Sequence, residues 1–294
     1  MRIFDRALVR KHRDRAAPLF AAHDFLLREV AERLADRLDD VTRRFPMALD
    51  LGCHTGEIAA TLGGRGGIET LVQCDLSPEM ATRAAKRGRP TLVADEEWLP
   101  FAPASFDLVI SCLSLHWVND LPGTLVQIRR ALKPDGLFLA ALFGAGTLAE
   151  LRQSLLDAEL AEENGASPRV SPFADVRDLG GLMQRAGFAL PVVDADTITV
   201  SYADPMRLLA DLRGMGEANA VAEQRKGLTR RATLLHAIRT YQERFTGRDG
   251  RMPATFQVMT LTGWAPVPVQ PHRDGVELGG GLAGCGDRTP ADKS

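Results

Sequence analysis

Apolar residues between positions 24 and 44 recur with the period of a helix. Leu27, Ala31, Leu34, Leu38 and Val41 stand at spacings of 4, 3, 4 and 3, with Arg, Glu and Asp between them. Pro46 closes the run. From Met47 the pattern changes to short unbroken apolar runs set between helical stretches: "MALDLG", "TLVQCD", "TLVAD", "FDLVIS" and "GLFLAALF". Continuous rather than alternating runs are expected of strands buried on both faces, and their alternation with helices points to a parallel sheet covered by helices. Between the fourth and fifth runs a helix is predicted, with Asn119 or Asp120 as cap, Pro122 in its first turn and Leu121, Leu125, Ile128 and Leu132 as its buried stripe. "KPDG" (133–136) reads as the turn that closes it.

Beyond residue 145 helices are expected at 147–162, 174–186, 205–214 and 230–245. "AGFALPVVDADTITVSY" reads as one or two strands, and "ATFQVMTLTGW" (254–264) as a last strand rich in β-branched and aromatic residues. The organisation that follows is an N-terminal basic helical arm or lid at 1–44, a main domain at 45–265 with a helical insertion at about 203–250, and a disordered tail at 266–294. That tail holds "PVPVQP" and "GGGLAGCG" and little that can pack.

Composition narrows the class. With 45% apolar and 25% charged residues and a net charge of −2, the chain is ordinary for a soluble globular protein, and nothing global argues for nucleic acid. No stretch approaches eighteen apolar residues, so no membrane span is expected. Cys53, Cys74, Cys112 and Cys285 form no C-x-x-C pair and read as free thiols of a reducing compartment. The first fifteen residues carry six Lys/Arg against Asp5 and Asp14. These acids and the absence of serine count against a transit peptide. The basic arm then reads as a solvated helix face, or as a docking surface for an acidic partner or a membrane-associated complex.

The stretch "LDLGCHTGE" (49–57) carries the chemistry. A buried strand ends at Asp50, a Gly-containing turn follows, and a helix begins near Glu57. In open parallel sheets ligands bind at the carboxyl ends of strands where strand order reverses. Gly52 allows a tight turn against a ligand, and Gly56 lets the helix approach the strand. His54 stands where a loop of this kind usually has its middle glycine; histidine tolerates left-handed backbone, so the turn is expected to survive. Asp75 ends the second run nineteen residues after Gly56, where a carboxylate accepts hydrogen bonds from a ribose diol. Asp95 ends the third, with Glu96, Trp98 and Leu99 beside the expected base ring. Ser111 and Cys112 offer backbone groups at the end of the fourth. "GCHTGE" is not the G-x-G-x-x-G of a dinucleotide loop, and Asp50 suits an ammonium group better than a pyrophosphate.

With these motifs, residues 45–145 and the last strand resemble the class I S-adenosylmethionine-dependent methyltransferases. The resemblance implies an α/β, Rossmann-like fold: a seven-stranded, mostly parallel sheet with helices on both faces and an antiparallel last strand. It implies S-adenosylmethionine as cofactor, its methionine end held by Asp50, Gly52 and Gly56 beside His54. Asp75 would hold the ribose, Leu76 would pack on the adenine, and Asp95 with Glu96 would read the adenine edge. Beyond that core, "IFDR", "LSLHWVNDLP", "SPRVSPFADVRDLGGLMQRAGFALP", "DLRGMGEAN" and "PATFQVMTLTGW" resemble the arginine-hydroxylase family of complex I assembly factors and its bacterial relatives. This second resemblance implies hydroxylation of an arginine on a quinone-site subunit of NADH:ubiquinone oxidoreductase. Because the chain starts at "IFDR", it also suggests a bacterial cytoplasmic protein. "DLSPEM", "LRGMG" and the last strand are similar to the malonyl-acyl-carrier-protein methyltransferases of biotin synthesis, which usually carry a tyrosine near Phe20.

His116, after the fourth run, is the candidate catalytic side chain, as a general base or simply, with Trp117, as a pocket wall. Arg152 reads as a partner for a substrate carboxylate or as a surface arginine, and "GMG" (214–216) as a helix end. No two of the six histidines stand at H-x-x-x-H spacing, so no metal site is expected. Three functions stay open: an S-adenosylmethionine-binding enzyme acting on a protein arginine, a methyltransferase for a carrier-bound or small carboxylate, and a non-catalytic assembly chaperone.

Overall fold

A computed structural model describes residues 2–267 apart from positions 164, 166, 172, 174, 175, 226 and 228. The segment 268–294, most of the expected tail together with Cys285, lies outside the described residues. Seven strands form one sheet in the order β3-β2-β1-β4-β5-β7-β6. They are β1 (Met47–Leu51), β2 (Thr70–Asp75), β3 (Thr91–Val93), β4 (Phe106–Cys112), β5 (Leu132–Phe143), β6 (Ala189–Tyr202) and β7 (Met252–Trp264). The first five pair in parallel, and β7 runs antiparallel between β5 and β6. Strand order therefore reverses between β1 and β4, the place where a ligand crevice opens in such sheets.

The unbroken apolar runs have their expected cause. Along β5, Leu137, Leu139, Ala141 and Phe143 face one core, shared with Leu27, Leu34 and Leu38 of helix α2 (Phe25–Asp39). Phe138, Ala140 and Leu142 face the other, shared with Leu125 and Ile128 of α5 (Leu121–Ala131) and Leu179 and Met183 of α7 (Val176–Arg185). Both faces are dry, so both residue parities are apolar. The remaining helices are α1 (Arg6–Ala16), α3 (Glu57–Thr61), α4 (Pro78–Ala85), α6 (Ala149–Glu163), α8 (Pro205–Gly214) and α9 (Arg231–Phe245). The last two lie between β6 and β7.

Three local expectations are corrected. Helix α2 stops at Asp39, short of Val41, whose N–H bonds the Leu38 carbonyl in a tight final turn. "KPDG" lies inside β5, where Asp135 takes a left-handed φ of 62° and donates its N–H to Ala265, so the chain bulges without leaving the sheet. Strand β3 ends at Val93, which leaves Asp95 in the turn beyond it. Asp120, not Asn119, caps α5, accepting from the Gly123 N–H at 2.9 Å.

Strand β7 closes the core against β5, and Phe256 on it is fully buried 5.8 Å from the ring of Phe143. Phe256→Ala is expected to lower stability by about 3–5 kcal/mol in urea unfolding, through lost burial and the cavity left behind. A loss below about 1 kcal/mol would contradict this packing.

Candidate functional site

The loop after β1 is tight because three alternate residues take left-handed backbone: Gly52 (φ 72°), His54 (φ 48°) and Gly56 (φ 88°). The histidine thus holds a conformation usually given to glycine and keeps the turn. Gly52 and Cys53 both donate their N–H groups to the Cys74 carbonyl at 2.9 Å, and His54 donates its own to Asp75 Oδ2 at 3.0 Å. The loop is thereby pinned across the end of β2. A Cβ on Gly52 would collide with the side chain of Ser114 and lie 3.2 Å from Glu96 Oε1. Gly56 is equally constrained, since a Cβ there would press on Arg87.

The imidazole of His54 does not point to water. It is buried, stacked on Phe20 at 5.7 Å, and its Nε2 lies 3.2 Å from the Cys112 carbonyl and 3.3 Å from that of Leu113. Burial first, and the charge of Arg13 second, lower its pKa, so the ring is neutral and donates from Nε2. Its Nδ1 has no hydrogen-bond partner among the described residues.

Asp50 is fully buried. Its Oδ2 accepts from the Gln73 amide at 3.2 Å, while Oδ1 has no partner among the described residues. Burial pushes its pKa up to about 8 against the opposing hydrogen bond from Gln73. An unpartnered buried carboxylate oxygen beside a glycine turn is suited to a cationic hydrogen-bond donor. Asp75 caps the following turn through Ser77 N–H at 2.7 Å. Leu76 packs with Phe4, Val9, Trp117 and Val221 in a small separate cluster. The buried Ser111 hydroxyl is already engaged, donating to the Leu51 carbonyl at 2.7 Å. Trp98, at 78% exposure, walls nothing here.

The basic arm is neither a solvated face nor a free docking surface at its two decisive positions. Arg6 and Arg13, two turns apart on one face of α1, are buried against the acids at the strand ends. Arg6 pairs with Asp95 at 2.6 Å and with Glu96, and bonds the Trp117 carbonyl at 3.3 Å. Arg13 reaches Glu96 at 3.0 Å, Asp75 at 3.4 Å and the Ser114 hydroxyl at 2.9 Å. Burial opposes ionisation of Glu96, but Arg6, then Arg13, then the Ser114 hydrogen bond outweigh it and hold its carboxyl well below the usual range. The arm is tied beyond these pairs: Asn119 accepts from the Ile3 and Phe4 N–H groups at 2.7 Å, and Asp5 donates to Ala220 at 2.8 Å.

Deeper along the sheet end, His116 is buried with Nε2 3.0 Å from Glu217 Oε2, and Trp117 donates its indole N–H to the same oxygen at 3.0 Å. Phe143 and Phe173 flank the imidazole at 4.7 and 5.5 Å. Phe173 also lines a cavity of about 470 Å³ with Arg152, Arg169, Ala145 and Leu156. Among the described residues Arg152 hydrogen-bonds only carbonyl oxygens, of Ala145 and Thr147, each at 3.1 Å. Among the described residues no group of three His, Cys, Asp or Glu side chains is placed to hold a metal ion, and no helix is long and apolar enough to cross a membrane.

Arg6, Arg13, Ser114 and Glu217 were not singled out from the sequence. The one available signal was the seven-residue spacing of Arg6 and Arg13 on a single helical face. Replacing Arg13 by Met leaves buried Asp75 without its cation and Glu96 with Arg6 alone, and is expected to cost about 3–5 kcal/mol at neutral pH. Because Glu96 is held below its ordinary value, its contribution is present above the normal carboxylate range and is lost as pH falls through its depressed value. The deficit of Arg13→Met should therefore shrink on acidification in denaturant titrations; a deficit constant from neutral pH to pH ~3 would contradict the ion-pair assignment.

Comparison with known proteins agrees with this geometry. Residues 49–140 match the family described as "Methyltransferase domain". The mitochondrial arginine-hydroxylase NDUFAF5 of Homo sapiens is 48% identical over 268 residues, covering 90% of this chain and 77% of that protein. A malonyl-[acyl-carrier protein] O-methyltransferase of Methylovorus sp. is 36% identical and covers 90% of each chain. In fold, the putative methyltransferase solved with the Haloferax volcanii Trm112 methyltransferase activator superposes with a TM-score of 0.56 at 20% identity, covering 90% of this chain and 100% of that one. The chain belongs to the class I S-adenosylmethionine-dependent methyltransferase superfamily, in the family of the arginine hydroxylase NDUFAF5, with the malonyl-[acyl-carrier protein] O-methyltransferases as more distant relatives.

Proposed function

We propose that the chain binds S-adenosylmethionine at the carboxyl ends of β1 and β2 and the turn after β3, and that it modifies an arginine side chain of a protein substrate. The observation that carries the substrate half is the reach of the likeness to NDUFAF5. It covers 90% of the chain, whereas the methyltransferase-domain match stops at residue 140. The substrate implied by that likeness is a quinone-site subunit of NADH:ubiquinone oxidoreductase.

The cofactor half rests on donor chemistry. Asp50 offers an unpartnered acceptor for the ammonium of the methionine end, beside Gly52, His54 and Gly56. Asp75 would take the ribose diol, and Leu76, Asp95 and Glu96 would meet the adenine. Over Gly52 the side chains of Ser114 and Glu96 stand close, and Arg13 lies on Asp75, so these groups have to shift to admit the ligand. S-adenosylmethionine, when bound, supplies an electrophilic methyl group and no oxygen atom, so hydroxylation of arginine needs a separate oxygen donor and reductant. The chain's own part is to hold the cofactor, exclude water behind α1 and present the target beside His116.

Arg152 favours a second reading. It lines the large cavity and has no carboxylate within ion-pair distance among the described residues, which suits a carboxylate on a carrier-bound substrate. Mass analysis separates the readings. The quinone-site subunit, isolated from cells with and without this protein, should differ by one oxygen atom on an arginine. A methylene gained by malonyl-carrier protein on incubation with S-adenosylmethionine would favour the second reading. Neither change, with a stable protein complex retained, would leave an assembly chaperone. For the cofactor, Asp75→Ala should weaken S-adenosylmethionine binding by about tenfold or more in calorimetry, since a lost charge-assisted hydrogen bond is worth about 1.5–3 kcal/mol. Unchanged affinity would reject the ribose assignment.

A further inference from the structure

Helix α8 ends at Gly214 and is followed by Met215 and Gly216, whose left-handed φ of 79° turns the chain back toward α1. A Cβ on Gly216 would sit 3.4 Å from Arg13 Cα, so the turn lies directly against the arm. Glu217 N–H then returns to the Leu212 carbonyl at 2.8 Å, which directs the Glu217 side chain inward. Burial opposes its ionisation, but the hydrogen bond donated by His116, with Arg13 after it, holds its carboxyl below the usual range. An ionised carboxylate only accepts hydrogen bonds. The indole N–H of Trp117 reaches Oε2, and so does His116 Nε2, each at 3.0 Å. The imidazole must therefore carry its proton on Nε2, which in the neutral ring leaves Nδ1 with a free lone pair. Nδ1 is buried and has no hydrogen-bond partner among the described residues, while Phe143, Phe173 and Trp117 surround the ring.

We propose that Glu217 is a positioning residue: it fixes His116 in the Nε2–H tautomer and so presents Nδ1 as an acceptor for an N–H donor of the substrate, a guanidinium edge. The identity of that donor rests on the arginine reading above; the tautomer does not. Aromatic walls around a neutral acceptor suit a guanidinium, whose flat faces stack on rings while its edges donate. The cavity bounded by Phe173 brings solvent-side access to the same aromatic group.

The full chain labelled with ¹⁵N-histidine tests this by long-range proton–nitrogen correlation at neutral pH. His116 is expected to show a protonated Nε2 and an unprotonated Nδ1. Glu217→Gln, whose amide can donate as well as accept, should convert this to a mixture of the two tautomers. A wild-type ring protonated on Nδ1, or on both nitrogens, overturns the proposal, as does an unchanged tautomer in the variant. Should the Gln variant not fold, Glu217→Asp withdraws the carboxylate by one methylene, and the same criterion applies: a shifted tautomer ratio supports the role and an unshifted one removes it. S-adenosylmethionine affinity should stay within about twofold in Glu217→Gln, while modification of substrate arginine falls at least tenfold. If no arginine product forms with the wild type, the substrate reading fails and the tautomer measurement still decides the role of Glu217.

Discussion

The arrangement depends on the compensation of buried acids at the strand ends. Asp75 and Glu96 are fully buried, and Asp95 stands beside them at the rim. Carboxylates withdrawn from water stay ionised only if cations and donors replace the lost hydration. Helix α1 supplies both cations from one face, Arg6 toward Asp95 and Glu96, Arg13 toward Glu96 and Asp75. Glu96 is the shared member, so the two arginines hold the arm as a unit. A segment that is mostly polar by composition is thereby fastened over the sheet end by charge, with Phe4 and Val9 adding a small apolar seal against Trp117 and Val221.

Fastening the arm organises everything behind it. Asn119, freed from capping α5, receives the start of the arm, and Ala220 accepts from Asp5, so α1 bridges the segment after β4 and the segment after α8. The second of these delivers Glu217 to His116. Asp50 is the exception within the cluster. It has no cation, keeps one oxygen unpartnered, and its pKa is pushed up to about 8 by burial. Among the acids of the site it is the one whose environment asks for a positively charged ligand, whereas Asp75, Asp95 and Glu96 already have arginines as partners.

The sheet was legible because burial on both faces leaves an unmistakable trace: two residue parities, both apolar. The loop was legible because its glycines and Asp50 are local to one turn, and His54 met the left-handed geometry that histidine tolerates. Errors of detail came where tertiary contacts override local pattern. The apolar period continues to Val41 although the helix stops at Asp39, and "KPDG" reads as a turn although Ala265 holds it in β5. The burial of Arg6 and Arg13 was not legible, since their acidic partners lie 62 to 90 residues away and a basic helix face looks the same whether solvated or paired. Glu217 was hidden for the same reason: "GMG" does end a helix, and nothing local says that the next residue reaches a histidine 101 positions earlier.

The central claim is that the acids at the ends of β1 and β2, closed over by α1, form the cofactor site. Hydrogen exchange of the full chain with and without saturating S-adenosylmethionine tests it most directly. The account predicts slowed exchange in the loop 51–57 and at 75–77, with a changed rate in α1, because the ligand must displace Arg13 from Asp75. Unchanged exchange at both segments, or protection confined to the cavity around Arg152 and Phe173, would contradict it.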